Sequence, residues 1–298
     1  MNQVALVIHE DKLAALRGDD PRDLLRWALR EHGEPPPKLY ATSNEDAGGK
    51  AARTALADGA ELVVVCGGDG TVSACAAALA GTGIPMAVIP IGTGNLVARN
   101  LGVPRDVEEA VAVAVNGVDQ AIDLGRLDDG VMVGMAGVGL DAAMVQDAPR
   151  WLKRRIGWPA YVVSLVRHLA DQGFAATIEV DGRRTRHKHV RMVVIGNVGA
   201  LHGGISLFPD ARPDDGVLEV AILAPRTVFG WASVVARLVR GGGRSPVVER
   251  LRGRHIVVRG RRPLRREADG EPLADGRVLD VKVAPKALLL RLKQPLDR

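Results

Sequence analysis

An apolar run, Leu62-Val63-Val64-Val65, leads through Cys66 into Gly67-Gly68-Asp69-Gly70-Thr71, and a stretch with helical spacing follows from Val72. No other feature constrains the fold as much. A buried strand that ends in glycines gathers backbone N–H groups at one point. The bare glycines let a phosphorylated ligand approach that backbone, and the next helix adds a dipole that favours negative charge. Asp69 is out of place beside phosphate unless a divalent cation bridges the two or its carboxylate acts on a nearby hydroxyl. The same residues also fit a plain surface turn capped by Asp69.

A second stretch, Pro90-Ile91-Gly92-Thr93-Gly94-Asn95-Leu96, repeats the order of strand, glycines and helix. Two such loops at neighbouring strand ends would form opposite walls of one phosphate cleft, with Thr93 and Asn95 as side-chain donors. Neither is a Walker A loop, because G-x-x-x-x-G-K-[ST] does not occur. Around them, strand-like runs at residues 4–8, 38–42, 62–65 and 86–89 alternate with helical spacing at 21–32, 45–56, 72–79 and 107–115. That alternation predicts a parallel sheet with helices on both faces and ligands beyond the carboxyl ends of its strands.

From about Ile122 the pattern changes. Short strand-like runs dominate, at 131–136, 176–180, 190–195, 218–223, 256–258 and 278–283, with helical stretches at 158–170 and 227–239. They predict a mostly antiparallel sandwich or barrel. The fold class expected is therefore α/β in two lobes, with a nucleotide-binding domain at 1–123 and a β-sandwich domain at 124–284. Residues 237–244, rich in arginine and glycine, read as a mobile loop. Gly137-Val138-Gly139-Leu140-Asp141-Ala142 matches G-x-G-x-x-A, but no convincing βαβ unit follows and it reads as a structural turn.

Two further segments are rich in oxygen. Pro209-Asp210-Ala211-Arg212-Pro213-Asp214-Asp215-Gly216-Val217 could hold a hard cation or form a β-turn headed by Asp. Asp269-Gly270-Glu271 places two carboxylates about a glycine. They could deprotonate a hydroxyl or hold a metal, and the spacing also fits a hairpin turn.

Composition narrows the class. The chain has 298 residues, roughly two domains by length, and 47% are apolar. No apolar run reaches the roughly 18 residues of a membrane span. The N-terminus lacks the basic region and cleavage site of a signal peptide, so a cytoplasmic location is expected. Cys66 and Cys75 flank the first glycine loop without metal-ligand spacing and read as buried thiols of a reducing compartment. Residues 1–125 carry 10 Lys and Arg against 17 Asp and Glu, whereas residues 126–298 carry 30 against 18. The basic half suits an anionic membrane surface or substrate, or is simply a solvated face. With only two Tyr and three Phe to stack bases, and no RNA-binding signature, nucleic acid is not an expected partner.

GGDGTV at 67–72, PIGTGN at 90–95 followed by Ala98-Arg99-Asn100-Leu101-Gly102, PDARPDDGVLEV at 209–220 and ADGE at 268–271 occur in this order. Together they resemble the diacylglycerol kinase catalytic-domain family, in particular its soluble bacterial lipid kinases, which are similar to sphingosine kinases. The resemblance covers nearly the whole chain. It implies an N-terminal lobe that binds ATP with Mg²⁺ and a C-terminal lobe that takes a lipid alcohol, diacylglycerol first. It implies also that a final segment, 285–298, packs back on the first lobe. Carried over position by position, Thr42, Gly67, Gly68, Asp69, Gly70, Thr71, Val72, Ser73, Gly92, Thr93, Gly94 and Asn95 would line the nucleotide. Asp69 would act through Mg²⁺ or at the phosphates, and Asp269 and Glu271 would supply the general base. Asp215, with backbone oxygens of Arg212 and Val217, would hold a structural metal.

Two departures stand out. The family usually follows its first strand with Asn-Pro, small residues and Gly, where this chain has His9-Glu10-Asp11-Lys12. It often follows the glycine loop with Asn-Glu, where this chain has Ser73-Ala74. Both fall where the family meets its nucleotide. A lipid substrate also implies transient contact with an anionic membrane. Trp151 and Trp158, with Lys153, Arg154 and Arg155 between them, suit a headgroup interface, as does Trp231, or they pack in the sandwich. His202 reads as a loop histidine. A free sheet edge offers a route to a homodimer.

Overall fold

The structure is a computed structural model. It describes residues 3–16, 18–43, 46–128, 130–139, 173–201, 206–225, 227, 230–231 and 248–296. The tryptophan-rich segment around Trp151 and Trp158, the helix expected at 158–170, His202 and the loop at 237–244 lie outside the described residues, as does nearly all of the helix expected at 227–239. The chain divides into two compact units, Met1–Asp123 with Lys286–Arg298, and Leu124–Pro285.

In the first unit, strands β1 (Val4–His9), β2 (Lys38–Thr42), β3 (Leu62–Gly67) and β4 (Met86–Pro90) form a parallel sheet in the order β2-β1-β3-β4. β1, β3 and β4 are buried along their whole length, which is why they read as continuous apolar runs rather than alternating ones. Their side chains still divide by parity. Val4, Leu6, Ile8, Leu62, Val64, Ala87 and Ile89 share one core with Leu25 and Leu29 of α2 (Pro21–Glu31) and Ala110, Val111 and Ala114 of α6 (Val107–Asn116). Helices α3 (Gly49–Ala57) and α4 (Asp69–Leu79) pack on each other, on β1 and on β3. Asp20 starts α2 by accepting the Arg22 N–H at 2.9 Å, with Pro21 at the first helical position. Asp106 starts α6 in the same way, through the N–H of Glu109.

The chain leaves this unit within β5 (Val118–Leu127) and returns within β14 (Glu271–Leu292). On its return the Lys286 N–H donates to the fully buried Asp123 carboxylate at 2.7 Å. Leu290 then pairs in parallel with Met86 of β4, and Arg291 binds Asp119 through Nε at 2.7 Å and through a second nitrogen at 2.8 Å. Among the described residues no helix is long and apolar enough to cross a membrane.

The second unit is antiparallel. Strands β12 (Val248–Gly253), β11 (Leu218–Leu223), β10 (Met192–Gly196), β7 (Met135–Gly139) and β13 (His255–Ala268) pair in that order. β8 (Phe174–Val180) adds to β13, and β9 (Arg183–Val190) adds to β8. Its core gathers Val138, Ile178, Val193, Ile195, Val220, Ile222, Ile256, Val258 and Val281. The α/β class with a parallel first sheet and an antiparallel second one is the class expected from the sequence.

Several details differ from that expectation. The run at 131–136 is two strands, β6 (Gly130–Met132) and β7, parted at Val133-Gly134. The short runs at 256–258 and 278–283 are pieces of β13 and β14, which are 14 and 22 residues long. Polar residues on an exposed face keep pairing after the apolar signal stops. β9, Arg-Arg-Thr-Arg-His-Lys-His-Val, carries no apolar alternation to reveal it. Gly137 and Gly139, expected in a structural turn, lie in β7, with Gly139 as its last residue.

Candidate functional site

Parallel pairing brings the carboxyl ends of the first sheet together. His9 aligns with Thr42, Ile8 with Cys66, and Gly67 with Pro90. The two glycine loops therefore leave adjacent strands side by side, and the Ile91 N–H donates to the Gly67 carbonyl at 3.0 Å. The backbones touch. A methyl group on Gly92 would lie 2.6 Å from Gly68 Cα, and one on Gly68 would lie 3.3 Å from Gly92 Cα. Neither position can carry a side chain without moving the other loop. Gly67 is just as tight, because a Cβ there would meet Thr71 Cβ at 2.6 Å. These glycines serve close approach.

Helix α4 begins at Asp69 with Gly68 as its N-cap, and no side chain caps it. The first N–H groups of an 11-residue helix thus keep their need for acceptors at the glycine loop. Asp69 does not turn back onto its own helix. Its Oδ1 accepts the Val97 N–H at 3.2 Å, which ties the first glycine loop to the first turn of α5 (Leu96–Asn100). Thr71 and Val72 are buried, whereas Gly70 and Ser73 are half-buried.

The sequence suggested Asn95 as a phosphate donor, but its side chain works on its own loop. Its Oδ1 accepts the Gly92 N–H at 3.0 Å, and Nδ2 donates to the Gly92 carbonyl at 2.8 Å and to the Pro90 carbonyl at 3.4 Å. The residue is buried and left-handed, φ 48°, a conformation asparagine tolerates better than most. Thr93, at the tip, is exposed and Gly94 is half-buried. Thr42 is buried and its hydroxyl donates to the Asp46 carbonyl, so it shapes the β2–α3 turn.

Sequence reasoning passed over Lys12. β1 runs straight into α1 (Glu10–Leu13), and Lys12 Nζ would be 2.8 Å from a Cβ built on Gly68. The available signal was a basic residue within one turn of the first strand's end. The two thiols near the loop are inert by comparison. Burial pushes Cys66 and Cys75 up to about 12.

The Asp269-Gly270-Glu271 segment lies in the second unit. Ala268 pairs with Glu271 across the two-residue turn Asp269-Gly270, with φ of 49° and 80°, the geometry of a type I′ hairpin. The two carboxylates have different surroundings. Asp269 is 2% exposed. Its Oδ2 accepts the Val133 N–H at 2.8 Å, and its Oδ1 accepts those of Gly134 at 2.7 Å and Met135 at 3.0 Å. Glu271, two residues on, is exposed. Buried Glu267 accepts the Gly270 N–H at 2.8 Å, and buried Asn197 donates to the Val133 carbonyl at 3.0 Å. Asn197 also was passed over, although an asparagine directly after the apolar run Val193-Val194-Ile195-Gly196 was a visible signal.

In the oxygen-rich loop before β11, the Asp215 carboxylate is engaged by protein groups. Asp215 Oδ1 accepts the Val217 N–H at 3.0 Å and Oδ2 binds Arg252 at 2.7 Å. Arg252 Nε binds Glu219 at 2.7 Å, and Arg212 leans on Asp214 at 3.5 Å. Burial raises the Glu219 carboxyl against the pull of Arg252. Trp231, considered for a membrane contact, is 6% exposed.

Residues 5–127 match the diacylglycerol kinase catalytic domain, and residues 134–292 match the YegS C-terminal NAD kinase beta sandwich-like domain. An uncharacterised Synechocystis protein is 32% identical over 241 residues, 78% of this chain and 54% of that protein, so the match spans about half of that relative's length. A Pseudomonas putida protein named probable lipid kinase YegS-like is 33% identical over 242 residues, 80% of this chain and 79% of the relative. The crystal structure of a diacylglycerol kinase from Bacillus anthracis superposes with a TM-score of 0.78 at 22% identity, covering 97% of this chain and 96% of that one, a likeness of fold. With both halves matched in order, the chain belongs to the diacylglycerol kinase catalytic-domain family of lipid kinases, which are phosphotransferases.

Proposed function

We propose that the protein is an ATP- and Mg²⁺-dependent lipid kinase that phosphorylates the hydroxyl of a lipid alcohol, with diacylglycerol as the first candidate. The observation that carries this reading is the contact of the two glycine loops at the carboxyl ends of β3 and β4, beside an α4 N-terminus without a side-chain cap. A triphosphate suits that cradle, because the first turn of α4, without a side-chain cap, presents backbone N–H groups beside the glycine loops. Asp69, a half-buried hard oxygen donor at the mouth of the loop, fits a divalent cation. Mg²⁺ bound with ATP would supply neutralisation of the charge on the transferring phosphoryl group.

The chain's own residues would do the rest. Glycine-loop amides orient the phosphates. Asp69 holds charge at the loop while its Oδ1 keeps the two loops in register through Val97. Glu271, exposed beside a rigid hairpin, is the proposed general base and takes the acceptor hydroxyl's proton. Asp269 keeps that hairpin in place through its three N–H bonds. Acyl chains require a membrane, and the basic balance of residues 126–298 favours an anionic one, met from the cytoplasmic side.

The test is transfer from [γ-³²P]ATP with Mg²⁺ into lipid alcohols presented in anionic vesicles. Label should enter one lipid, and Asp69→Ala should abolish it. Glu271→Gln should lower turnover about 10²- to 10⁴-fold while leaving the unfolding midpoint unchanged. Label in NAD instead would mark an NAD kinase-like enzyme. ATP binding with no labelled product would mark a kinase-like binding protein.

A further inference from the structure

The strand β9 reads Arg-Arg-Thr-Arg-His-Lys-His-Val, four Lys and Arg without a carboxylate. It pairs with β8 alone, so among the described residues its outer backbone edge is open. Register carries the charge inward across the sheet. Ile178 and Val258 pair with each other and lie in the core, so Thr177 and Arg259, one residue away on each strand, pair on the opposite face. Arg186 pairs with Thr177 from the β9 side. The row Arg186–Thr177–Arg259 thus sets two exposed arginines two strand spacings apart, about 10 Å, with a hydroxyl between them. The next row on that face is closed by its own ion pair, Arg184 to Glu179 at 2.8 Å. Arg183, Arg186, Lys188, Arg259, Arg261 and Arg262 are all exposed and have no acidic partner among the described residues. Arg261 and Arg262 fall in the irregular stretch of β13 between Arg259 and Leu264.

We propose that the β9 edge and the Arg186–Thr177–Arg259 row dock the protein on an anionic phospholipid bilayer by contacts to headgroup phosphates. The choice of a bilayer rests on the lipid-kinase reading above. Guanidinium groups bind phosphate oxygens in pairs, and a hydroxyl between two of them adds a further donor. The same charges argue against a second copy of this chain as the occupant. Two such edges brought together would set like charges opposite one another. The large apolar side chains that are exposed among the described residues, Trp27, Leu39 and Val118, belong to the first unit. Docking through this strip is therefore electrostatic and is screened by salt.

The test is co-sedimentation with phosphatidylcholine vesicles, with and without phosphatidylglycerol, at low and high salt and without nucleotide. Wild type should bind the phosphatidylglycerol vesicles, bind pure phosphatidylcholine far less, and come off as salt rises. Each Lys or Arg at an anionic surface strengthens attachment about fivefold. Arg183→Gln, Arg186→Gln and Lys188→Gln combined should therefore weaken it about 100-fold, and Arg259→Gln alone about fivefold. Arg259→Gln is a single exposed change on another strand, so it decides the matter even if the triple variant does not fold. Arg30→Gln, Arg53→Gln and Arg105→Gln combined remove the same charge from exposed positions of the first unit and should change little. An equal loss in that control would overturn the proposal in favour of net charge. Wild type that shows no preference for phosphatidylglycerol would overturn it too, leaving the β9 charges as guards of an open edge. Tighter binding of a single-stranded RNA than of the vesicles, lost in the same variants, would overturn it in favour of nucleic acid. Vesicle binding needs no nucleotide, so a wild type that transfers no phosphate would sink the kinase reading while these variants still decide the docking surface.

Discussion

Asp-Gly occurs at the centre of both motifs, as Asp69-Gly70 in the first unit and Asp269-Gly270 in the second, and the two pairs do opposite work. Asp69 opens a helix, half-buried, with Oδ1 on the Val97 N–H. Asp269 sits in a left-handed turn, 2% exposed, with both oxygens on the N–H groups of residues 133–135. Where the two glycine loops meet, the glycines are there for close approach. At the hairpin Gly270 is there for its φ of 80°. The same dipeptide becomes a half-buried charge at a glycine loop or a bolt in a core, depending on the backbone it occupies. Its neighbour Glu271 is the exposed carboxylate of the second motif.

The largest effect should separate the two aspartates outright. Asp269→Ala would strand three buried N–H groups, each costing about 1–3 kcal/mol, so urea unfolding should show a loss of about 3 kcal/mol or more. Asp69→Asn should leave stability within about 1 kcal/mol of wild type and reduce phosphoryl transfer about 10²- to 10³-fold. If Asp269→Ala is as stable as wild type, the bolt is not one. If it is stable yet inactive, Asp269 returns as a base alongside Glu271.

The same contrast explains what could be read from the chain. The α/β class was legible because apolar runs and glycine breaks are local signals, and in β3 and β4 they fall within a few residues of one another. The family was legible because four short motifs keep their order. What Asp269 binds was not legible, because its partners lie 134–136 residues away along the chain and no pattern near residue 269 points to them. What the side chain of Asn95 binds was not legible for a related reason. A polar residue in a glycine loop suits a ligand as well as its own loop, and only the left-handed φ decides. The partner of Asp215, Arg252, lies 37 residues on and was not legible either. β9 was invisible because its exposed face carries charge where the pattern looks for alternation.

A middle-sized effect would sharpen the view that the second loop is stapled from within. Asn95→Gly removes three hydrogen bonds but accepts the φ of 48°, and Asn95→Ala removes the same bonds and adds left-handed strain. Asn95→Gly should cost about 1–2 kcal/mol, and Asn95→Ala about 1 kcal/mol more. Both should weaken ATP binding by loosening the Gly92 wall. Loss of ATP affinity without loss of stability would mean that Asn95 touches the ligand after all.

The smallest effect comes from Asp20, which shows what an aspartate at a helix start does when it has no ligand to serve. It accepts the Arg22 N–H and also pairs with the Arg22 side chain, and that side-chain hydrogen bond holds its carboxyl below the usual range. Asp20→Ala should cost about 1 kcal/mol near neutral pH. The sign with pH follows from the lowered folded-state value. The stabilisation is present above the ordinary carboxylate pKa and is lost as pH falls through the folded one, so wild type and variant should converge in acid. Urea unfolding of both proteins across that range measures it. A gap that persists in acid would mean that Pro21 and the burial of Leu25 and Leu29 depend on Asp20 for more than its charge. The aspartate at α4 would then no longer stand apart from an ordinary cap by its chemistry alone, and the reach of its Oδ1 to Val97 would have to carry the distinction.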